Sequence, residues 1–462
     1  MTSAAEQLAS SFRWSALTQG ELKDRLLFTL GALLIYRLGT FVPLPGIDAQ
    51  AMASLFESQA QGILGQLNLF SGGAVSRMSV FALSILPYIS ASIIMQLMQV
   101  AVPSLERLKK EGEQGRIKLN QYTRYLTVVI AAAQAFGIAL ALEGATSTAG
   151  ALVNDPGLFF RLQTVVTLTS GTVFLMWLGE QITARGIGNG ISLLIYAGIV
   201  AAFPSAVSNL FEVGATEVGA AARSMLLVAI MIALLFFVVF IERSYRRLMV
   251  QYPKRVVGNK QMSEAQSSYL PLKLNTVGVI PAIFASSLLI MPQTFAGFSG
   301  DAAVQNDILQ FLQIEFARGR PLFMITYAAL IIFFAFFYTA IVFNPQETAD
   351  NLKRQGGYIP GVRPGANTVT YLDYVLTRLT TVGAIYLASV AVFPEFLAAQ
   401  QNVSFVFSGM SILIVVSVTV DIVQQVQNHM IAQQYEHLLE RQNLGDKSQR
   451  KAQRRMKRKG RP

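Results

Sequence analysis

The chain has 462 residues, 53% of them hydrophobic and only 14% charged. Soluble globular chains carry roughly 25% charged residues, so the apolar majority calls for a bilayer as solvent and excludes a disordered chain, a collagen-like chain and an ordinary soluble enzyme. The formal charge of +11 must then be concentrated in a few places.

There are no cysteines, which removes disulfides, thiolate metal sites and thiol nucleophiles. The two histidines, His429 and His437, lie in the polar C-terminal region, so no haem or copper centre can be ligated by intramembrane histidines. No GxxxxGK[ST] phosphate loop is present. No cofactor is expected.

In chain order, residues 1–24 are polar and mixed in charge, without the pattern of a cleaved signal peptide. About twenty apolar residues cross a bilayer as a helix. Such runs lie at 25–43, 79–102, 123–143, 161–183, 191–211, 223–241, 272–292, 321–343, 373–393 and 405–427. Between the first two, Gln61–Arg77 (QGILGQLNLFSGGAVSR) is too short and glycine-rich to span, yet too apolar for a free loop. It reads either as an interfacial helix or as a re-entrant piece, the latter requiring protein or water to satisfy its backbone.

Lysine and arginine alternate between connections. Arg107, Lys109 and Lys110 follow the second span, Arg246, Arg247, Lys254 and Arg255 the sixth, Lys353, Arg354 and Arg363 the eighth. Segments 144–160, 212–222 and 394–404 hold none; Arg318 and Arg320 break the trend. The positive-inside rule therefore places both termini and 103–122, 184–190, 242–271 and 344–372 in the cytosol. The expected organisation is a cytosolic segment 1–24, a five-span half 25–211, a hinge loop 212–222, a second five-span half 223–427, and a basic cytosolic tail 428–462. Five is odd, so the halves have opposite orientation, the inverted-repeat arrangement of many transport proteins. The fold class is an all-α polytopic membrane protein.

Charges well inside spans are few: Arg37 and Arg378, with Glu180 and Asp421 near span ends. An intramembrane charge marks a pathway by default, but no run of Asp, Glu or His follows any span. Arg37 and Arg378 read as helix-end or interhelical partners. Gly186, Gly188 and Gly190 make a short turn and lack the preceding strand and lysine of a phosphate cradle. Three readings stay open on residues alone: a passive channel, a secondary transporter and a membrane enzyme. A coupling carboxylate and broken helices would favour the second, and paired catalytic groups within the spans the third.

Several strings occur together: PLPGID (43–48), LFSGGAVSR (69–77), FALSILPYISASIIMQL (81–97), KKEGEQGR (109–116), GEQITARGIGNGISLLI (179–195), LPLKLNTVGVIPAIFASS (270–287), FYTAIVFNPQETADNLK (337–353) and GVRPG (361–365). In order and spacing, over about residues 20–440, the chain resembles the SecY family, the central subunit of bacterial Sec protein-conducting channels. The tenth span enters as FSGMSILIVV where the family more often has a GGTSLLIVV-like string, and the basic tail is longer than the family pattern.

The resemblance implies a clamshell of two five-helix halves around an hourglass pore. It implies a passive route for unfolded secretory polypeptides across the bacterial cytoplasmic (inner) membrane. It places an aliphatic pore ring at Ile85, Ile89, Ile93, Ile195, Ile283 and Ile414. It places a plug over 63–77, including Leu67, Asn68, Phe70, Ser71, Gly72, Gly73 and Arg77. It assigns Ser90, Gln96 and Asn275 to a lateral gate between the second and seventh spans, which binds signal sequences and releases transmembrane segments into lipid. It assigns Arg246, Arg247, Lys254, Arg255 and Arg363 to cytosolic docking. Implied partners are small membrane subunits of SecE and SecG type, the SecA motor ATPase, the ribosome with its rRNA phosphates, signal sequences, translocating polypeptides and anionic lipids.

The chemistry suits such roles. An aliphatic collar offers no fixed hydrogen bonds to a passing chain and blocks ions by dewetting when narrow. Ile85, Ile89 and Ile93 recur at i, i+4 and i+8, one stripe of a helix, which fits a pore or a lipid face equally. Polar groups within spans bond across helices for only about 0.6–2 kcal/mol, weak enough for a seam that opens. Basic loops attract phosphate backbone whatever its sequence. The C-terminal run reads as a solvated or lipid-binding tail.

Overall fold

A computed structural model describes residues 21–59, 65, 68, 70–144, 146–147, 150–216, 220–252, 256–257, 260–261, 267–298, 311, 315–316, 319–401 and 408–431. The expected plug residue Leu67, the expected docking residues Lys254 and Arg255 and the basic tail beyond residue 431 lie outside them.

The first helix, α1 (Glu21–Gly39), starts on Glu21 and Asp24 and ends with Arg37, the charge order its dipole favours. Leu22, Thr29, Ala32 and Tyr36 face inward. Leu27, Leu30, Leu34 and Leu38 are exposed on the other side. A helix apolar all round belongs in lipid. The short α2 (Ala49–Gln59) is begun by Asp48, whose Oδ1 accepts from the Gln50 and Ala51 amides at 2.8 and 3.3 Å.

The second span differs from expectation. Helix α3 runs only over Leu86–Ala101, with Pro87 in its first turn. Residues 79–85 form turns, with left-handed φ at Met78 and Ser84. Val102 then precedes Pro103, and α4 (Pro103–Lys110) leaves at 98° to α3. Proline disfavours a helical residue before it, which places the bend there.

Helix α5 (Glu113–Gly144) has 32 residues, about 48 Å at 1.5 Å each, longer than a hydrocarbon core of about 30 Å. Helices α6 (Leu158–Arg185) and α7 (Gly190–Thr216) are joined by the glycine turn. That turn is held by protein: Ile187 N donates to Thr29 Oγ1 at 3.1 Å and Gly188 N to Gln425 Oε1 at 2.7 Å. Then follow α8 (Ala220–Glu242), α9 (Ile280–Phe298), α10 (Pro321–Val342), α11 (Pro345–Arg354), α12 (Ala366–Gln401) and α13 (Gly409–Ile431).

Among the described residues, five helices are long and apolar enough to cross a membrane, six if the bent α3–α4 pair counts as one; Gly190–Pro204, Val228–Glu242 and Ile280–Ile290 are shorter apolar helices. Small antiparallel pairs interrupt the helices: β1 (Thr146–Ser147) with β2 (Gly150–Ala151), β4 (Val256–Val257) with β5 (Lys260–Gln261), and the longer β3 (Tyr245–Gln251) with β6 (Ser267–Lys273).

The central core draws on α1, α3, α6, α7, α8, α9, α10, α12 and α13. Helix α9 packs on both α3 and α5, which joins the early and late parts of the chain. A separate core, built from Leu248, Val250, Leu272, Ala349, Leu352, Ile359, Leu372, Val375 and Leu379, lies beneath the 242–271 and 344–372 loops.

Candidate functional site

Five of the six ring isoleucines, Ile85, Ile89, Ile93, Ile195 and Ile414, are at most 5% exposed and belong to one apolar cluster; Ile283 packs against it half-buried. They arrive from α3 and the turn before it, α7, α9 and α13. Ile94, on the opposite side of α3, is exposed. The stripe on α3 therefore faces protein.

The segment expected to form the plug enters the same cluster through Phe70 and Ala74. Its own turns are closed by Asn68, whose carbonyl accepts from Gly73 N at 3.0 Å and whose Oδ1 accepts from Ser76 N at 2.9 Å. Ser71 Oγ donates to the Asn68 carbonyl at 3.2 Å and accepts from Val75 N at 3.3 Å. Gly72 and Gly73 have φ of +66° and +89°, values that side chains rarely adopt.

The segment expected to form the plug is seated on α1 and α7. Arg37 Nη1 donates to the Gly72 carbonyl at 2.6 Å, and Tyr36 Oη to the Ser71 carbonyl at 3.2 Å. Ser84 Oγ donates to the Phe70 carbonyl at 3.4 Å. Gly198 of α7 lies so close that a Cβ there would stand 2.7 Å from the Phe70 carbonyl oxygen. The Arg37 and Arg77 guanidiniums sit 4.9 and 4.2 Å over the Phe41 ring. Arg77 itself is exposed.

Arg37, read from sequence as a helix-end or interhelical partner, thus holds the backbone of the 70–77 segment at Gly72. Tyr36 and Gly198 carried no signal in the sequence. The other interior charges have ordinary partners: Arg124 grips Glu180 through two bonds of 2.9 and 2.7 Å, Lys273 meets Asp421 at 3.2 Å, and Arg378 stacks 4.3 Å over Tyr374.

The three gate residues do not bond to one another. Ser90 is buried on α3. Gln96 Nε2 donates within α3 to Ser92 Oγ at 3.2 Å, and among the described residues its Oε1 is buried without a partner. Asn275 is 3% exposed, and its Nδ2 donates to Glu242 Oε1 at 2.7 Å and to the Gly278 carbonyl at 3.2 Å. Glu242 is the neighbour that sequence reasoning missed. Its signal was a lone acid between an apolar run and the basic RSYRR string.

At the loops, Arg246 and Arg247 are exposed on β3, opposite Leu272 and Pro271 of β6. Gln251 and Tyr358 exchange backbone hydrogen bonds of 2.8 and 2.9 Å, tying one loop to the other. Arg363 is exposed beyond that tie.

A bundle of apolar helices, lipid-facing leucines outside and an aliphatic cluster within, defines a polytopic membrane protein. The SecY family model matches residues 79–423, and the chain belongs to the SecY family, which comprises channel subunits and not enzymes. It is 51% identical over 441 residues to protein translocase subunit SecY of Escherichia coli K12, covering 95% of this chain and 99% of that one. Its fold matches a protein-conducting channel structure with a TM-score of 0.57 at 20% identity, covering 88% and 92% of the two chains. It also matches the yeast Ssh1 complex bound to the yeast 80S ribosome, with a TM-score of 0.59 at 17% identity, covering 87% and 89%.

Proposed function

We propose that the chain is a passive protein-conducting channel of the bacterial cytoplasmic membrane, both termini cytosolic, built from the two inverted halves 25–211 and 223–427. Unfolded secretory polypeptides pass through the collar of Ile85, Ile89, Ile93, Ile195, Ile283 and Ile414. Transmembrane segments leave sideways between α3 and α9. The observation that carries the reading is the entry of the plug's Phe70 and Ala74 into the cluster that holds five of those isoleucines.

The energetics fit a gate. Burial of a side chain such as Phe70 contributes about 1.5–3 kcal/mol. A hydrogen bond from a charged donor such as Arg37 adds a further ~1.5–3 kcal/mol. Sums of that size keep a plug seated, yet an incoming chain can displace it.

Segments choose their exit by partition. Leucine favours lipid by roughly 0.3–0.6 kcal/mol, while one central charge opposes exit by about 2.5–3.5 kcal/mol. The exposed Arg246, Arg247 and Arg363 suit phosphate and acidic surfaces, in keeping with a ribosome or a SecA motor ATPase as the driving partner. The fold shared with a ribosome-bound complex supports the first of these. SecE- and SecG-type subunits are the membrane partners of this reading.

Reconstitution tests it. Proteoliposomes holding this chain with its small membrane subunits, given motor and ATP, are expected to protect an added precursor from protease. Absence of protected precursor with active motor present overturns the reading.

A further inference from the structure

Glu242 and Asn275 stand where the cytosolic hairpin meets the spans. Glu242 is the last residue of α8, three before β3 begins at Tyr245. Asn275 follows β6 by two residues and precedes α9, which starts at Ile280. The two strands converge on this point. Tyr245 pairs with Lys273, and Leu274 N donates to the Ser244 carbonyl at 3.0 Å. The last bond at the root is the side-chain one, Asn275 Nδ2 to Glu242 Oε1 at 2.7 Å.

Both groups are buried, at 5% and 3% exposure. A carboxyl group so placed ordinarily finds a cation, because an unpaired buried charge is costly. The adjacent Lys273 instead turns its Nζ to Asp421 of α13. Among the described residues Asn275 is the side chain that donates to Glu242. From behind, α12 closes the site: a Cβ at Gly383 would stand 3.1 Å from the Leu274 carbonyl and 3.7 Å from the Asn275 Cα. Asn275 is thus held between the Glu242 acceptor and the Gly383 backbone, and any movement of the hairpin root moves the chain that leads into α9.

We propose that Glu242 is a positioning residue of the gate: it latches the root of the docking hairpin to the start of α9, so that a partner which tilts the hairpin withdraws the acceptor from Asn275 and frees α9 to part from α3. This rests on the channel reading above. The hairpin rides on the shared loop core and is tied to Tyr358, so a load on either loop reaches Glu242. A latch needs a bond strong enough to hold the closed state and single enough to release at once. One buried hydrogen bond to an ionisable group meets both conditions.

The experiment uses proteoliposomes holding the complete translocase, with two precursors, one carrying an intact signal sequence and one with a charge placed in its apolar stretch. The readout is the ratio of defective to intact precursor exported. Glu242→Ala and Asn275→Ala are each expected to raise that ratio by roughly tenfold, the factor set by one such bond. The double variant is expected to do no more than either single one. Glu242→Gln, which keeps an acceptor of the same shape, is expected to return the ratio to the wild-type value. Gly383→Ala, which presses on the Leu274 carbonyl and the Asn275 Cα and meets the Asn275 Oδ1 at 4.0 Å while leaving both hydrogen-bonding groups in place, is expected to raise it, and carries the test should Glu242→Ala fail to accumulate. An unchanged ratio in Glu242→Ala, additive single effects, or Glu242→Gln behaving as Glu242→Ala would each overturn the latch. Failure of the wild-type protein to export the intact precursor overturns the channel reading instead.

Discussion

Gly72, in the segment proposed as the plug, and Gly198 of α7 meet backbone to backbone: a Cβ on Gly72 would stand 2.9 Å from the Gly198 Cα, and one on Gly198 would stand 3.2 Å from the Gly72 nitrogen. Neither partner can yield by turning a side chain. Gly198→Ala is therefore expected to unseat the plug at an overpacking cost of about 1–3 kcal/mol. The natural chain has no cysteine, so Ser71→Cys is a clean reporter of a buried plug position. Its thiol is expected to react with a membrane-impermeant maleimide roughly tenfold faster beside Gly198→Ala than beside Gly198. Equal rates would place the plug elsewhere at rest.

Arg37→Gln removes the charged donor from the Gly72 carbonyl while keeping an amide on a shorter stem. The loss is expected to be about 1.5–3 kcal/mol, visible in the same thiol reporter and as a raised resting conductance in planar bilayers. Arg378→Gln serves as the contrast. Arg378 lies over Tyr374 on its own helix, and its loss is expected to leave the reporter unmoved.

Replacing Ile85 and Ile283 together with serine is expected to let ions leak through the resting channel. Hydroxyls wet a constriction that aliphatic groups keep dry. Single-channel recording of the purified complex measures this. Closed-state conductance equal to that of the wild-type protein would remove these two residues from the collar.

How much of this was legible in the sequence depends on what each residue had to reveal. Spans such as α10, apolar all round, declare themselves because lipid demands it. The start of the second span did not. Val80, Phe81, Ala82 and Leu83 are as apolar as a helix in lipid, but they fold as turns inside the protein, where Ser79 Oγ accepts from the Phe81 amide and the Ser84 amide donates to the Phe81 carbonyl. Hydropathy cannot tell those two environments apart. Periodicity found the Ile85, Ile89 and Ile93 stripe without its direction, which only packing partners supply. Arg37 was visible because a charge in a span is rare; its partner is a carbonyl, which has no letter in a sequence. Gly198 was invisible because its function is the absence of a side chain.

Arg363→Glu reverses a charge on an exposed loop and breaks no buried contact. It is expected to lower motor-driven export several-fold while leaving the protein's thermal stability within about 0.5 kcal/mol, as surface substitutions do. Co-translational insertion of a membrane protein, followed in parallel, is expected to suffer less. Equal loss in both assays would point to general damage and not to docking.

The two cytosolic loops share one core, and this predicts that they loosen together. Leu372 is fully buried there, among Leu248, Val250, Leu272 and Ile359. Leu372→Ala removes three carbons from a packed site and is expected to cost about 2–5 kcal/mol locally. Trypsin should then cut sooner after Arg246 or Arg247 in one loop and after Lys353 or Arg354 in the other, at matched rates. The Gln251–Tyr358 exchange joins them, so neither loop can open alone without losing it. Resting conductance should not change, since the collar belongs to a separate cluster. Faster cutting of one loop with the other intact would show two independent arms, and the load-sharing that couples docking to the gate would lose its structural basis.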